Sequence, residues 1–112
     1  MKYALMIYPG NTDIDSFSEA EAAGYLNEYL ALTASPQYVA GAQLQPVETA
    51  TTVQVSNGKT LMTDGPFADT KEVFGGVMIL EAANLDEAVE FAARIPAARL
   101  GGAVEVRPVV PR

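Results

Sequence analysis

The sequence predicts an α+β domain of ferredoxin-like architecture. Three observations predict it: apolar patterns in the order strand, helix, strand, strand, helix, strand; an Asn57-Gly58 turn that inserts a β-hairpin into that order; and two strands that are apolar on both faces. The order is that of two split βαβ units, which place two helices on one face of a four-stranded sheet.

Lys2 to Tyr8 opens the chain as a short apolar run with β-branched and aromatic residues, ended by Pro9-Gly10. The two-residue pleat puts Tyr3, Leu5 and Ile7 on one side and Ala4, Met6 and Tyr8 on the other, so both faces call for cover. From Ser18 the spacing turns helical. Ala22, Tyr25, Leu26, Tyr29, Leu30 and Thr33 recur at three and four residues, and Ser18 with Glu21 forms a capping box. Pro36 excludes helical geometry at the residue before it and ends the helix. Tyr38 to Leu44 follows as a second strand, with a kink or bulge expected at Gly41.

Thr51 to Ser56 and Lys59 to Thr63 flank Asn57-Gly58, whose residues both tolerate positive φ, and so read as a β-hairpin. Val73 to Ala82 passes through Gly75-Gly76 into the continuous run Val77-Met78-Ile79-Leu80, expected to be a central strand covered on both sides. Asn84 caps a second helix with Glu87 three residues on. Leu85, Ala88, Val89, Ala92 and Ile95 form its expected buried stripe, and Pro96 stops it. Ala103 to Val110 closes the fold as a strand, with Val104, Val106 and Pro108 on one face and Glu105, Arg107 and Val109 on the other.

Two helices cover one face of four strands. Because the strands at 2–8 and 77–80 are apolar on both faces, a second copy of the chain is the simplest cover for the other face. Face-to-face sheets from two chains would make a dimeric α/β barrel, against the alternative of a monomer whose hairpin and tail fold back over the sheet.

The 112 residues, 49% of them hydrophobic and 19% charged, fit one globular domain spanning 1–112. With neither Cys nor His, the chain offers no disulfide, thiolate nucleophile, imidazole base or nitrogen-and-sulfur zinc site. A net charge of −7 with only 7 scattered Lys and Arg argues against a nucleic-acid partner and against anionic membrane surfaces. No glycine fingerprint for a dinucleotide or phosphate loop follows a strand, so no cofactor is expected. The first apolar run is too short for a signal peptide or a membrane span, which reads as a cytoplasmic location.

Function is expected around Thr63-Asp64-Gly65-Pro66-Phe67-Ala68-Asp69-Thr70-Lys71-Glu72, which places turn chemistry and charge between two apolar strands. Asp64, before Gly65-Pro66, either accepts backbone N–H bonds in a turn or points into a cleft as an acid or base. Phe67 is either a core anchor for the loop or a stacking platform for a ring. Lys71 is a surface charge or an electrostatic clamp, and Glu72 a surface charge or a second carboxylate beside Asp64. Tyr8, Tyr25 and Tyr29 supply phenols, and Arg107 a guanidinium for a carboxylate, where core packing or a dimer contact is the competing use.

An ordered series of motifs resembles the DGPF branch of the YCII-related family along nearly the whole chain. It runs from Met1-Lys2-Tyr3 and Ile7-Tyr8 through Leu44-Gln45-Pro46, Ala50-Thr51-Thr52-Val53 and Asn57-Gly58-Lys59 to Asp64-Gly65-Pro66-Phe67, Thr70-Lys71-Glu72, Gly75-Gly76, Pro96-Ala97-Ala98-Arg99 and Val104-Glu105-Val106-Arg107-Pro108. The resemblance implies a bacterial member of the dimeric α/β barrel superfamily. It also implies a cleft in which related enzymes pair a His with an Asp; this chain has no His, so only an acidic residue carries over, with Asp64 the candidate. Two departures stand out: Asp69 replaces the usual Glu, and Ser35-Pro36-Gln37-Tyr38 replaces a charged helix end.

The expectation is therefore a homodimeric small-molecule-binding protein, with cofactor-independent proton transfer by Asp64 as its candidate chemistry and Tyr8, Gly65, Phe67, Lys71, Glu72 and Arg107 as candidate ligand contacts. The alternative is a non-catalytic dimeric module that binds a regulatory protein such as a sigma factor.

Overall fold

The computed structural model describes residues 1–68 and 73–112. Its strands are β1 (Lys2–Tyr8), β2 (Tyr38–Gln43), β3 (Thr51–Ser56), β4 (Lys59–Asp64), β5 (Gly76–Glu81) and β6 (Ala103–Pro108). The helices are α1 (Glu19–Thr33) and α2 (Leu85–Ala93). Strands β2, β5, β1 and β6 lie in that order in one sheet, with every neighbouring pair antiparallel, while β3 and β4 form a separate two-stranded sheet. Each βαβ unit is thus split by a strand of the other, the ferredoxin-like arrangement that the order of elements predicts.

Register fixes which side chains share a face. Tyr3, Leu5 and Ile7 of β1 are buried beside Met78 and Leu80 of β5, and against them pack Leu32, Ala88, Phe91, Ala92, Ile95 and Ala97. The opposite face carries Ala4, Met6 and Tyr8 beside Val77 and Ile79, with Ala40 and Ala42 from β2 and Glu105 and Arg107 from β6. The central ones, Ala4, Met6, Tyr8, Val77 and Ile79, are half-buried, and among the described residues no helix lies over them.

Helix starts follow their caps. Ser18 Oγ accepts from the Glu21 N–H at 3.1 Å while the Glu21 carboxylate accepts from the Ser18 N–H, bonds that hold the Glu21 carboxyl below its usual pKa. Asn84 Oδ1 accepts from the Glu87 N–H at 2.9 Å. The buried stripe of α2 differs from the expected one: Ala88, Phe91, Ala92 and Ile95 pack inward, and Leu85 and Val89 are half-exposed. Bulky Phe91 claims the centre of the contact and rotates the helix away from Leu85. On α1 only Leu32 is fully buried, and Leu26 and Leu30 are more than half exposed.

Details of the strands also differ from expectation, with β2, β4 and β5 ending at Gln43, Asp64 and Glu81, one residue from their expected ends. The irregularity in β2 falls between Tyr38 and Ala40 rather than at Gly41. Regular pairing of strand β5 begins at Gly76, although Gly75 still donates to Ile7 O and accepts from the Leu44 N–H, each at 2.9 Å, and its missing Cβ makes room for the Pro9 ring. Regular pairing of β6 stops at Pro108, although the Val109 N–H still donates to Lys2 O at 2.9 Å. The β3–β4 turn has positive φ at both Asn57 (50°) and Gly58 (76°), the type I′ signature.

The molecule is a slab of 47 × 41 × 20 Å with a radius of gyration of 16.1 Å, against about 13 Å expected for a compact chain of this length. The excess comes from the β3–β4 arm, which stands apart from the four-stranded sheet. Among the described residues no helix is long and apolar enough to cross a membrane.

Phe91 is 1% exposed at the centre of the core. Phe91→Ala is expected to cost about 3–5 kcal/mol in urea unfolding through the cavity it leaves. Asn84→Ala, which removes the α2 cap, is expected to cost only about 1 kcal/mol in the same assay.

Candidate functional site

Two cavities flank the segment that carries Leu44 to Val47 and the residues Val73 and Phe74. The larger, about 1110 Å³, is an open groove between the base of the arm and the end of β1 and β6. Its walls include Tyr8, Pro46, Val47, Pro66, Phe74 and Glu105. Tyr8 and Phe74 meet edge to face at a centroid distance of 5.8 Å, so two rings form one wall.

The second cavity, about 570 Å³, lies between α1 and the sheet and opens at the end of β5. Tyr25, Tyr29 and Thr33 come from one side of α1, Tyr38 from β2, and Ile7, Val77 and Met78 from the sheet. Residues 25, 29 and 33 recur at the helical spacing of four, which turns all three toward the same side. The Tyr25 and Tyr29 hydroxyls are 3.5 Å apart and their rings meet edge to face at 5.1 Å, while Phe17 buttresses Tyr25 at 5.5 Å. Removal from water, followed by the hydrogen bond with Tyr25, pushes the Tyr29 phenol well above its ordinary pKa. Tyr29 is therefore a neutral hydrogen-bonding group throughout the physiological range. Among the described residues, no charged side chain lines this cleft.

Of the residues singled out in the sequence, Tyr8 lines the groove, and Tyr25 and Tyr29 line the cleft. Asp64 ends β4 as an exposed residue opposite Thr51 and lines neither cavity. Gly65 takes φ 102° and ties the base of the arm: its N–H donates to Ala50 O at 2.8 Å and its carbonyl accepts from Thr52 Oγ1 at 2.7 Å. Phe67 is 78% exposed, so it does not anchor the loop in the core. Arg107 lies on the uncovered sheet face in an ion pair with Glu105. Lys71 and Glu72 lie outside the described residues.

The structure adds Tyr38, Thr33 and Phe74 as cavity residues, and Glu105 at the groove. Tyr38 was legible in principle, since the pleat that pairs it with buried Leu80 points it to the helical side. Glu105 had only its strand parity to mark it.

A YCII-related domain matches residues 1–112. An uncharacterized protein of Rhizobium meliloti (strain 1021) is 34% identical over 116 residues, covering 97% of this chain and 92% of the relative. Among solved structures, the chain resembles the 5-chloro-2-hydroxyhydroquinone dehydrochlorinase of Burkholderia phenoliruptrix AC1100, determined in complex with 2,5-dihydroxybenzoquinone. The TM-score is 0.53 at 19% identity, over 98% of this chain and 94% of that one. That neighbour belongs to the dimeric α/β barrel superfamily, and the shared architecture is the ferredoxin-like sheet with its two helices. Helix caps, sheet order and the match along the full length agree, and the chain belongs to the YCII-related family.

Proposed function

We propose that the protein is a homodimeric small-molecule-binding protein whose ligand seats in the cleft between α1 and the sheet. The observation that carries this reading is the cleft: about 570 Å³, within the usual size of small-molecule sites, with three phenols and no charged wall among the described residues. Such a lining suits a ring-bearing ligand with hydroxyl or carbonyl oxygens, because the aromatic walls accept a flat apolar body and the phenols supply matched donors and acceptors. The structural neighbour's complex with an oxygen-substituted six-membered ring is in keeping with that class. The dimer rests on the uncovered face of β1 and β5, where Ala4, Met6, Val77 and Ile79 lack a helical cover.

Proton transfer by Asp64 belongs to this reading only through the dimer, since within one protomer the residue lines neither cavity. The open cleft favours a ligand over a purely regulatory module, for which the exposed apolar face of the β3–β4 hairpin is the feature on the other side.

Native mass spectrometry of freshly purified protein is expected to show a dimer carrying extra mass of a small ring compound; a monomer without added mass would overturn the reading. With hydroquinone as probe, Tyr29→Phe is expected to weaken binding about threefold to tenfold, the worth of one hydrogen bond. The hydrogen bond that Tyr29 makes to the ligand should be constant between about pH 5 and about pH 8, because burial holds its phenol above the ordinary pKa. A step in affinity inside that window would count against Tyr29 as the group that holds the ligand.

A further inference from the structure

The β3–β4 arm presents an apolar surface that its own protomer does not use. Pairing of Val53 with Met62, Val55 with Thr60 and Thr51 with Asp64 places these six side chains on one face. On it Val53, Val55 and Met62 are 59%, 70% and 72% exposed. The other face carries Thr52, Gln54, Ser56, Lys59, Leu61 and Thr63, so the arm is amphipathic. An isolated two-stranded hairpin is marginal in water, and packing of one face is what such a hairpin needs.

We propose that this arm is the clasp of the homodimer, its Val53, Val55 and Met62 face lying on a second copy of the chain and extending the interface that begins on the uncovered sheet. The inference rests on the homodimer of the preceding reading and names the element that completes it. Interface size favours a second copy as the occupant. The pleat gives the uncovered face of the four strands about a dozen outward positions. A standard interface engages roughly 20–30 residues a side. The sheet alone falls short, and the arm's face with its flanking loops supplies the remainder.

Continuity points the same way. The 1110 Å³ groove is walled on one side by outward-facing Tyr8 and Glu105 and on the other by Ala50 and Pro66 at the arm's base. The arm and the uncovered sheet therefore border one concavity, and a partner seated on the sheet meets the arm without a gap. Two-fold symmetry then lets each arm hold the other protomer, so both apolar faces are covered by one set of contacts.

Sedimentation velocity across about 0.1 to 100 μM protein tests the clasp, with three variants alongside the wild type. Val55→Lys/Met62→Lys charges the apolar face of the arm, Gln54→Lys charges its opposite face as a control, and Ile79→Lys charges the uncovered sheet. Circular dichroism and thermal unfolding confirm that each variant folds. The clasp predicts a dimer weakened at least tenfold by the Val55/Met62 pair and unchanged by Gln54→Lys. Added positive charge lowers the repulsion between two chains of net charge −7, so a weaker dimer in that variant cannot come from net charge. A wild-type dimer that Ile79→Lys breaks but the Val55/Met62 pair leaves intact would overturn the clasp and keep the homodimer. A wild-type monomer throughout would overturn both.

Discussion

A four-stranded sheet with helical cover on one side only is the constraint from which the other features follow. Both crossovers return over the same face, so Tyr3, Leu5, Ile7, Met78 and Leu80 gain a core while their alternating neighbours Ala4, Met6, Val77 and Ile79 gain none. In a protein that worked alone, those outward positions in the two central strands would be polar, as in sheets that face water on one side. Their apolar character is a commitment to a further layer. The 20 Å thickness of the slab corresponds to two layers, the sheet and its helices, among the described residues.

The two helices sit on the sheet differently, and side-chain volume accounts for it. Helix α2 packs through Ala88 and Ala92, both at most 5% exposed, and these small residues let its backbone approach closely around the central Phe91, with Ile95 beyond it. Helix α1 presents Tyr25 and Tyr29 at the corresponding positions. Rings of that size take the room between α1 and the sheet that small residues leave closed under α2, and the cleft opens beside them. On the sheet side Gly41 and Gly76 permit close approach, since a Cβ at Gly41 would lie 2.7 Å from the Tyr38 hydroxyl and one at Gly76 2.9 Å from Ala42 O. Tyrosines of α1 and β2 thus wall the cleft, and the raised Tyr29 pKa is the electrostatic trace of the same enclosure.

Order, caps and turn were legible in the sequence because each rests on local chemistry. Ser18 with Glu21, Asn84 with Glu87, and Asn57-Gly58 behave as their residue types dictate. The rotation of α2 was not legible, since Leu85 and Val89 fit the periodic stripe as well as Phe91 does, and only the depth of the core decides between them. The candidate site was legible in part. Tyr8, Tyr25 and Tyr29 reach cavities, yet a phenol's spacing alone does not tell a cavity wall from a core contact. Asp64, Gly65 and Phe67 were singled out by motif and turn chemistry, and the long-range placement of the arm, which no local pattern encodes, put them at its base instead of in a cleft.

That placement gives the Asp64-Gly65-Pro66 turn a physical role of its own. The turn closes the arm at its root, where the Gly65 to Ala50 backbone bond and the Thr52 hydroxyl continue the β3–β4 pairing beyond Thr51 and Asp64. Asp64 lies in register on the same face as Val53 and Met62, at the domain end of the apolar strip. A charge at that position discourages the strip from collapsing back along its own loop and from pairing indiscriminately with other apolar strands, which is the use of charged residues beside exposed strands generally. Turn and carboxylate thus both belong to the root of the arm: the Gly65 bonds close its two strands there, and Asp64 ends its apolar strip with a charge.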